Sequence, residues 1–264
     1  MEAPKQQLLR SLLKSYGKAA IGFSGGVDST FLLREAVDVL GRDNALAVIA
    51  DTPTLPRREL EEALRMAEQM DAQVCVVRPD ELADPTYAAN PPDRCYFCKR
   101  HVFSAIRDAA AAQGFTVVLD GTNADDAHDV RPGRRASGEL GVKSPLAEAG
   151  VTKQEIREWS ARAGLPTARK PAMACLASRI PYGTQITREA LAQIENAEAA
   201  LHGLGFPHCR VRHHGDTARI EVPEADIGRL LDPSLRQQAA QAVKAAGYRF
   251  AALDLLGYRM GNMN

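Results

Sequence analysis

Apolar positions fall along the chain in two alternating rhythms. Ala19–Phe23 is a short unbroken apolar run, as expected of a buried strand, and it stops at Ser24-Gly25-Gly26. From Asp28 to Leu40 the pattern changes to helical spacing, with Phe31, Leu32, Ala36, Val39 and Leu40 on one side. Ala45–Ala50 predicts a second strand and Gln73–Val77 a third. Between them, Pro56–Met70 sets Leu60, Leu64 and Ala67 among Arg57, Arg58, Glu59, Glu61 and Glu62, predicting an amphipathic helix. A helix over His101–Gln113 and a fourth strand over Thr116–Asp120 follow. Ahead of all of these, Leu8, Leu9, Leu12 and Leu13 form the apolar stripe of an N-terminal helix.

Strands separated by helices of this length predict an α/β fold with a parallel, doubly wound, Rossmann-like sheet. Right-handed crossovers put each strand-to-helix turn at one edge of such a sheet, where ligands bind. Two stretches break the alternation. Arg78–Arg94 and Gly121–Pro145 carry Pro, Asn, Asp and Gly and predict long functional loops. Thr152 with Glu155, and Gly164 at the stop, predict a capped helix. After Tyr182-Gly183-Thr184 the texture shifts to a helix over Thr187–Leu204, then a hairpin from Cys209-Arg-Val-Arg-His213 and Ala218-Arg-Ile-Glu-Val222. A helix near Leu235–Ala246 and a strand over Phe250–Leu255 complete the chain. The expected organisation is a nucleotide-binding domain over residues 1–179 and a smaller α+β domain over 180–264.

Composition narrows the partners. Lys plus Arg and Asp plus Glu both number 33, which weighs against nucleic acid or an anionic membrane surface as the main partner. No apolar run approaches the ~18 residues of a membrane span, and the N-terminal helix lacks the apolar centre of a signal peptide. Five cysteines do not suggest a disulfide framework, so a cytoplasmic setting is expected.

The first strand-to-helix turn, Ser24-Gly25-Gly26-Val27-Asp28-Ser29, carries chemistry. Glycines let the backbone come close to an anion, and the following helix N-terminus offers amides and partial positive charge to phosphate. Asp28, in the first helical turn, is the carboxylate expected to work with Mg²⁺. The turn is neither a Walker loop nor a dinucleotide fingerprint. It resembles the pyrophosphatase loop of enzymes that cleave ATP between the α and β phosphates to adenylate a carbonyl or carboxylate.

The cysteines come next. Cys95-Tyr-Phe-Cys98 and the distant Cys175 lie outside the apolar strands and flank irregular segments beside the expected ligand edge. Thiols so placed serve as nucleophiles or soft-metal ligands. Three cysteines suit a [4Fe–4S] cluster with one iron open, while His101 raises a zinc site as the rival. Cys75 lies in the apolar run Val74-Cys-Val-Val77 and Cys209 precedes a strand, and both are expected in the core.

Beyond the loop, the chain resembles the LarE family of ATP-dependent sulfur transferases in nickel-pincer cofactor synthesis. The likeness rests on Arg94-Cys-Tyr-Phe-Cys-Lys99, Asp120-Gly-Thr-Asn-Ala-Asp-Asp126, Arg131-Pro-Gly133, Ser178-Arg-Ile-Pro-Tyr-Gly183, Arg210-Val-Arg212 and Ala218-Arg-Ile-Glu221. It implies adenylation of a pyridinium biscarboxylate mononucleotide, followed by conversion of the carboxylate to a thiocarboxylate. It also implies ATP, Mg²⁺ and a [4Fe–4S] cluster on Cys95, Cys98 and Cys175, and a homo-oligomer. Cys175 acting as a sacrificial sulfur donor is the family's other version. By the same resemblance, Ser24, Gly25, Gly26, Asp28 and Ser29 hold pyrophosphate and metal, and Ala50, Gly121 and Thr122 border the nucleotide. Asp125 or Asp126 are candidate metal partners. Arg179, Arg210 and Arg212 grip phosphate, and Glu198 is a functional glutamate. At Arg229, where single-cysteine members carry an acid, a metal role does not transfer. Two rivals remain: a tRNA thiolation enzyme and an amide-forming synthetase of the NAD or GMP kind.

Overall fold

The computed structural model describes residues 3–128, 132–172 and 174–259. Arg131 of the Arg-Pro-Gly motif and Met173 beside Cys175 lie outside them. The chain runs α1 (Pro4–Tyr16), β1 (Ala19–Gly22), α2 (Val27–Leu40), β2 (Ala45–Ala50), α3 (Arg57–Gln69), β3 (Gln73–Val77), α4 (Pro85–Ala88) and α5 (Arg94–Ala112). It continues with β4 (Val118–Leu119), α6 (Pro132–Glu139), α7 (Pro145–Glu148), α8 (Lys153–Arg162) and α9 (Arg188–Gly203). Last come β5 (Arg210–His214), β6 (Thr217–Glu221), α10 (Glu224–Leu230), α11 (Pro233–Ala245) and β7 (Phe250–Leu253).

The chain divides into two compact units. The first comprises Met1–Glu81 and Asp93–Met173; the second comprises Leu82–Pro92 and Ala174–Asn264.

In the first unit, β1 to β4 form a parallel sheet in the order β3-β2-β1-β4. The middle strands are buried on both sides, which is why Ala19–Ile21 and Ala45–Ile49 read as unbroken apolar runs. One face packs Leu9, Leu13, Ile21, Phe31, Leu32 and Ile49 together. The other gathers Leu46, Val48, Phe103, Ile106 and Phe115 under α5.

The structure departs from the sequence pattern most at α5 and α6. The pattern starts the helix of α5 at His101, yet α5 begins at Arg94 and takes Cys95 and Cys98 into its first turns. Those turns carry no amphipathic stripe, because Cys95 is exposed and Tyr96, Phe97 and Cys98 are only half-buried. What supports them is α6, a helix inside a stretch expected to be irregular. A Cβ built on Gly133 would stand 3.0 Å from Lys99 Cγ, so the glycine is what lets the two helices close.

In the second unit, β5 and β6 pair antiparallel with Val211 opposite Ile220, and β7 joins β6 in parallel. Phe206, Val211, Ile220, Leu230 and Val243 fill the core beneath. Leu82–Pro92 belongs here through Asn90, whose backbone is left-handed (φ 58°). Its buried amide donates to the carbonyls of Pro181 at 2.8 Å and Thr184 at 3.0 Å. The amides of Gly183 and Ile186 bond back to Asn90 and Ala88.

Candidate active site

The phosphate loop forms as its residues require. Gly25 turns with φ 67°, and a Cβ there would meet Ala63 Cβ at 3.0 Å. Gly26 caps α2 without a side-chain bond, so the first amides of a fourteen-residue helix are left for an anion. Ser29 Oγ donates to the Gly26 carbonyl at 3.2 Å and meets Ser24 Oγ at 3.1 Å, which braces the turn.

Asp28 stands at the centre. Its carboxylate is ion-paired with Lys153 and accepts from Asn123 Nδ2 at 3.4 Å. Gly121 closes against it from the end of β4, where a Cβ would lie 3.0 Å from the Ser29 amide nitrogen. Sequence reasoning missed Lys153, the first residue of α8. It is set by a capping box in which Thr152 Oγ1 accepts from the Glu155 amide at 3.3 Å. Lys170 was missed as well: its ammonium donates to the Gly25 carbonyl at 3.2 Å and pairs with Glu59 at 2.7 Å. Both lysines sit far from the loop in sequence and in no recognisable motif of their own.

Other expected nucleotide residues fall at the same sheet edge. Ala50 ends β2 half-buried, with Asp51 next to it ion-paired to Arg57 and Arg78. Thr122 donates its amide to Asp120 Oδ1 at 3.1 Å. Asp125 is engaged by the Lys153 amide at 2.8 Å and Asp126 by the Asn123 amide at 3.3 Å.

In the first unit, Cys95 and Cys98 lie three residues apart, on one face of a helical turn. In the second, Cys175 is exposed and immediately precedes a tight turn, Leu176–Arg179. Thiols of this number and exposure suit an iron–sulfur or zinc site in donor type. Among the described residues, however, no three His, Cys, Asp or Glu side chains stand together as a group that could hold a metal ion.

Arg179 is 1% exposed and directed inward. It forks onto Glu198 at 2.9 and 3.0 Å, and its Nη1 donates to the carbonyls of Ala174 at 2.7 Å and Cys175 at 2.9 Å. Burial opposes its charge, but the Glu198 carboxylate outweighs that and raises its pKa. Glu198 also accepts from the Val211 amide at 3.0 Å. Arg212 is bound to the fully buried Glu221 at 2.7 Å. Arg210 differs: it donates to the Cys209 carbonyl at 2.7 Å and lies over the Tyr258 ring, and burial together with nearby Arg179 lowers its pKa. The expected phosphate arginines are thus close in the second unit, but Arg179 and Arg212 are held by internal carboxylates.

Cys209 is in the core as expected, its thiol pushed up to about 12 by burial and by Glu198. Cys75, expected in the core, is only half-buried. His213 is half-buried, and its Nδ1 meets Tyr248 Oη at 3.1 Å.

A glycine turn backed by a parallel strand, with the helix amides open and a carboxylate and two lysines around it, defines an ATP-dependent α/β enzyme of the pyrophosphatase-loop class. Residues 4–89 match the family model described as NAD synthase. An NH(3)-dependent NAD(+) synthetase of Staphylothermus marinus is 36% identical over 74 residues, 28% of this chain and 26% of the synthetase. Likeness along the whole chain is more specific. The pyridinium-3,5-bisthiocarboxylic acid mononucleotide synthase of Lactiplantibacillus plantarum is 40% identical over 262 residues, 99% of this chain and 94% of that one. An uncharacterised protein of Synechocystis sp. is 41% identical over 260 residues, 98% of this chain and 97% of its own. The chain belongs to the LarE family, that of the pyridinium-3,5-bisthiocarboxylic acid mononucleotide synthases.

Proposed function

We propose that this protein is an ATP-dependent sulfur transferase that adenylates a carboxylate of pyridinium-3,5-biscarboxylic acid mononucleotide and converts it to a thiocarboxylate. The reading is supported above all by one observation: the uncapped first amides of α2, next to the Gly25-Gly26 turn, are set in a chain that is similar end to end to the synthase of that cofactor. The substrate carboxylate oxygen attacks the α-phosphorus and pyrophosphate departs, received by the loop amides and by Lys153 once it leaves Asp28. Asp28 would hold Mg²⁺, which neutralises phosphate charge. Sulfur then attacks the activated carbonyl carbon, and AMP leaves with the carboxylate oxygen.

Cys95, Cys98 and Cys175 would hold a [4Fe–4S] cluster whose chemistry is to supply sulfide. Arg179, by gripping the carbonyls of Ala174 and Cys175, would position Cys175 rather than bind phosphate. The family resemblance also supports a homo-oligomer.

The NAD synthase match over residues 4–89 favours one alternative, amide formation with ammonia. A single experiment separates the two: anaerobically purified protein with ATP, Mg²⁺ and the biscarboxylate mononucleotide. Stoichiometric AMP and pyrophosphate with one oxygen replaced by sulfur in the product is expected; an amide formed from ammonia, or no adenylation, sinks the proposal. Iron and sulfide analysis tests the cluster. Colourless zinc-loaded protein, or conversion of Cys175 to dehydroalanine on turnover, would overturn it.

A further inference from the structure

Natural sheets blunt their edge strands with lysines, prolines, bulges or a covering element, because a bare row of backbone groups recruits another strand. β3 is the edge of the parallel sheet, and no described strand pairs with its outer side. Its residues Gln73-Val-Cys-Val-Val77 include no charge, proline or glycine, and Val74 is 39% exposed.

The ladder shows which backbone groups are open. The Asp51 amide donates to the Val77 carbonyl, so Val77 faces β2, and by alternation Cys75 and Gln73 do so as well. Val74 and Val76 therefore point their amides and carbonyls outward.

We infer that the outer edge of β3 docks a second copy of this chain, by antiparallel pairing about a two-fold axis at Cys75. The strand is self-complementary in that register. Val74 of each copy meets Val76 of the other as a hydrogen-bonded pair, using the groups that β2 leaves open. Cys75 then meets its own counterpart at the intervening non-hydrogen-bonded position, where Cα atoms come within about 4.5 Å. That separation lies in the range for a disulfide, ~4.4–6.8 Å. The ends complement each other in charge. Antiparallel pairing sets the Arg78 end of one copy beside the Asp71 end of the other. Both side chains are largely exposed, at 75% and 76%; among the described residues Arg78 pairs with the half-buried Asp51 and Asp71 with the exposed Arg42. The contact is isologous, so each complementary pair occurs twice and the assembly closes.

The inference is independent of the reaction assigned above and fails separately from it. The experiment uses the full chain at micromolar concentration. Its solution mass is measured by analytical ultracentrifugation, and copper–phenanthroline is added as oxidant to take the two electrons released when two thiols join. A non-reducing digest read by mass spectrometry should contain a Cys75–Cys75 linked peptide, absent in C75S. Val74→Lys, at an exposed position, should lower the solution mass and reduce the cross-link at least tenfold while the far-ultraviolet spectrum is retained. A monomer overturns the inference. So does an oligomer without the Cys75 link, or one indifferent to V74K. An oligomer dissociated instead by charge at the exposed Leu255 and Leu256 assigns the contact to the second unit and equally overturns it.

Discussion

Gly121 shows how far a single hydrogen governs the site. The Ser29 amide and Asp28 Cβ stand 3.0 and 3.2 Å from where its Cβ would be. Both belong to the first turn of α2, so a methyl group must push the phosphate loop itself. Gly121→Ala should cost ~1–3 kcal/mol of stability and raise the KM for ATP by about tenfold or more through displaced loop amides. Thermal melting and pyrophosphate release read the two effects. Gly138→Ala, a helical glycine with open space around it, is the control and should be neutral or stabilising by up to ~1 kcal/mol. The loop glycines were readable from sequence because they adjoin a strand and a helix. Lys153 and Lys170 were not, since a lone lysine on a charged helix or loop carries no signal of what it will face. The arginines point the same way. The family resemblance implies phosphate for them, and no local pattern announced that Arg179 and Arg212 would also be buried against Glu198 and Glu221.

At the level of elements, periodicity worked for the strands and the long helices with an apolar face, and missed the short helices α4, α7 and α10. β2 and β3 have the bounds the apolar runs predict, and the capping box of α8 is present as Thr152 and Glu155 announced. It failed at the start of α5 and throughout α6, where small residues pack helix on helix without an apolar stripe. The cap of α8 also bears on function, since the residue it sets is Lys153. Thr152→Ala should destabilise the protein by about 1 kcal/mol. It should also weaken ATP binding, and T152S should restore both. Denaturant titration with nucleotide-binding isotherms checks this; a stability loss with unchanged binding would show that Lys153 does not depend on its cap.

Across the whole molecule, the chain forms two compact units, and the loop, Lys153 and Lys170 all lie in the first. Saturation with ATP and Mg²⁺ at about a hundred times Kd should stabilise that unit by ~2.7 kcal/mol. Hydrogen exchange should then slow across residues 24–40 and 118–123, with the β5–β6 hairpin unchanged by nucleotide alone. Slowing confined to the hairpin would move the ATP site out of the loop.

The sequence by itself determined the parallel sheet, the turn between β1 and α2, and the class of chemistry. These depend on local periodicity and on residue types with few conformational alternatives, such as glycine beside a helix start. Tertiary structure alone decided that Lys153 faces Asp28, that Leu82–Pro92 joins the second unit through Asn90, and that Arg179 holds the backbone of Cys175. Each of these joins residues distant in the chain, where partner choice follows from packing and the need to satisfy buried charge. No local pattern records that choice.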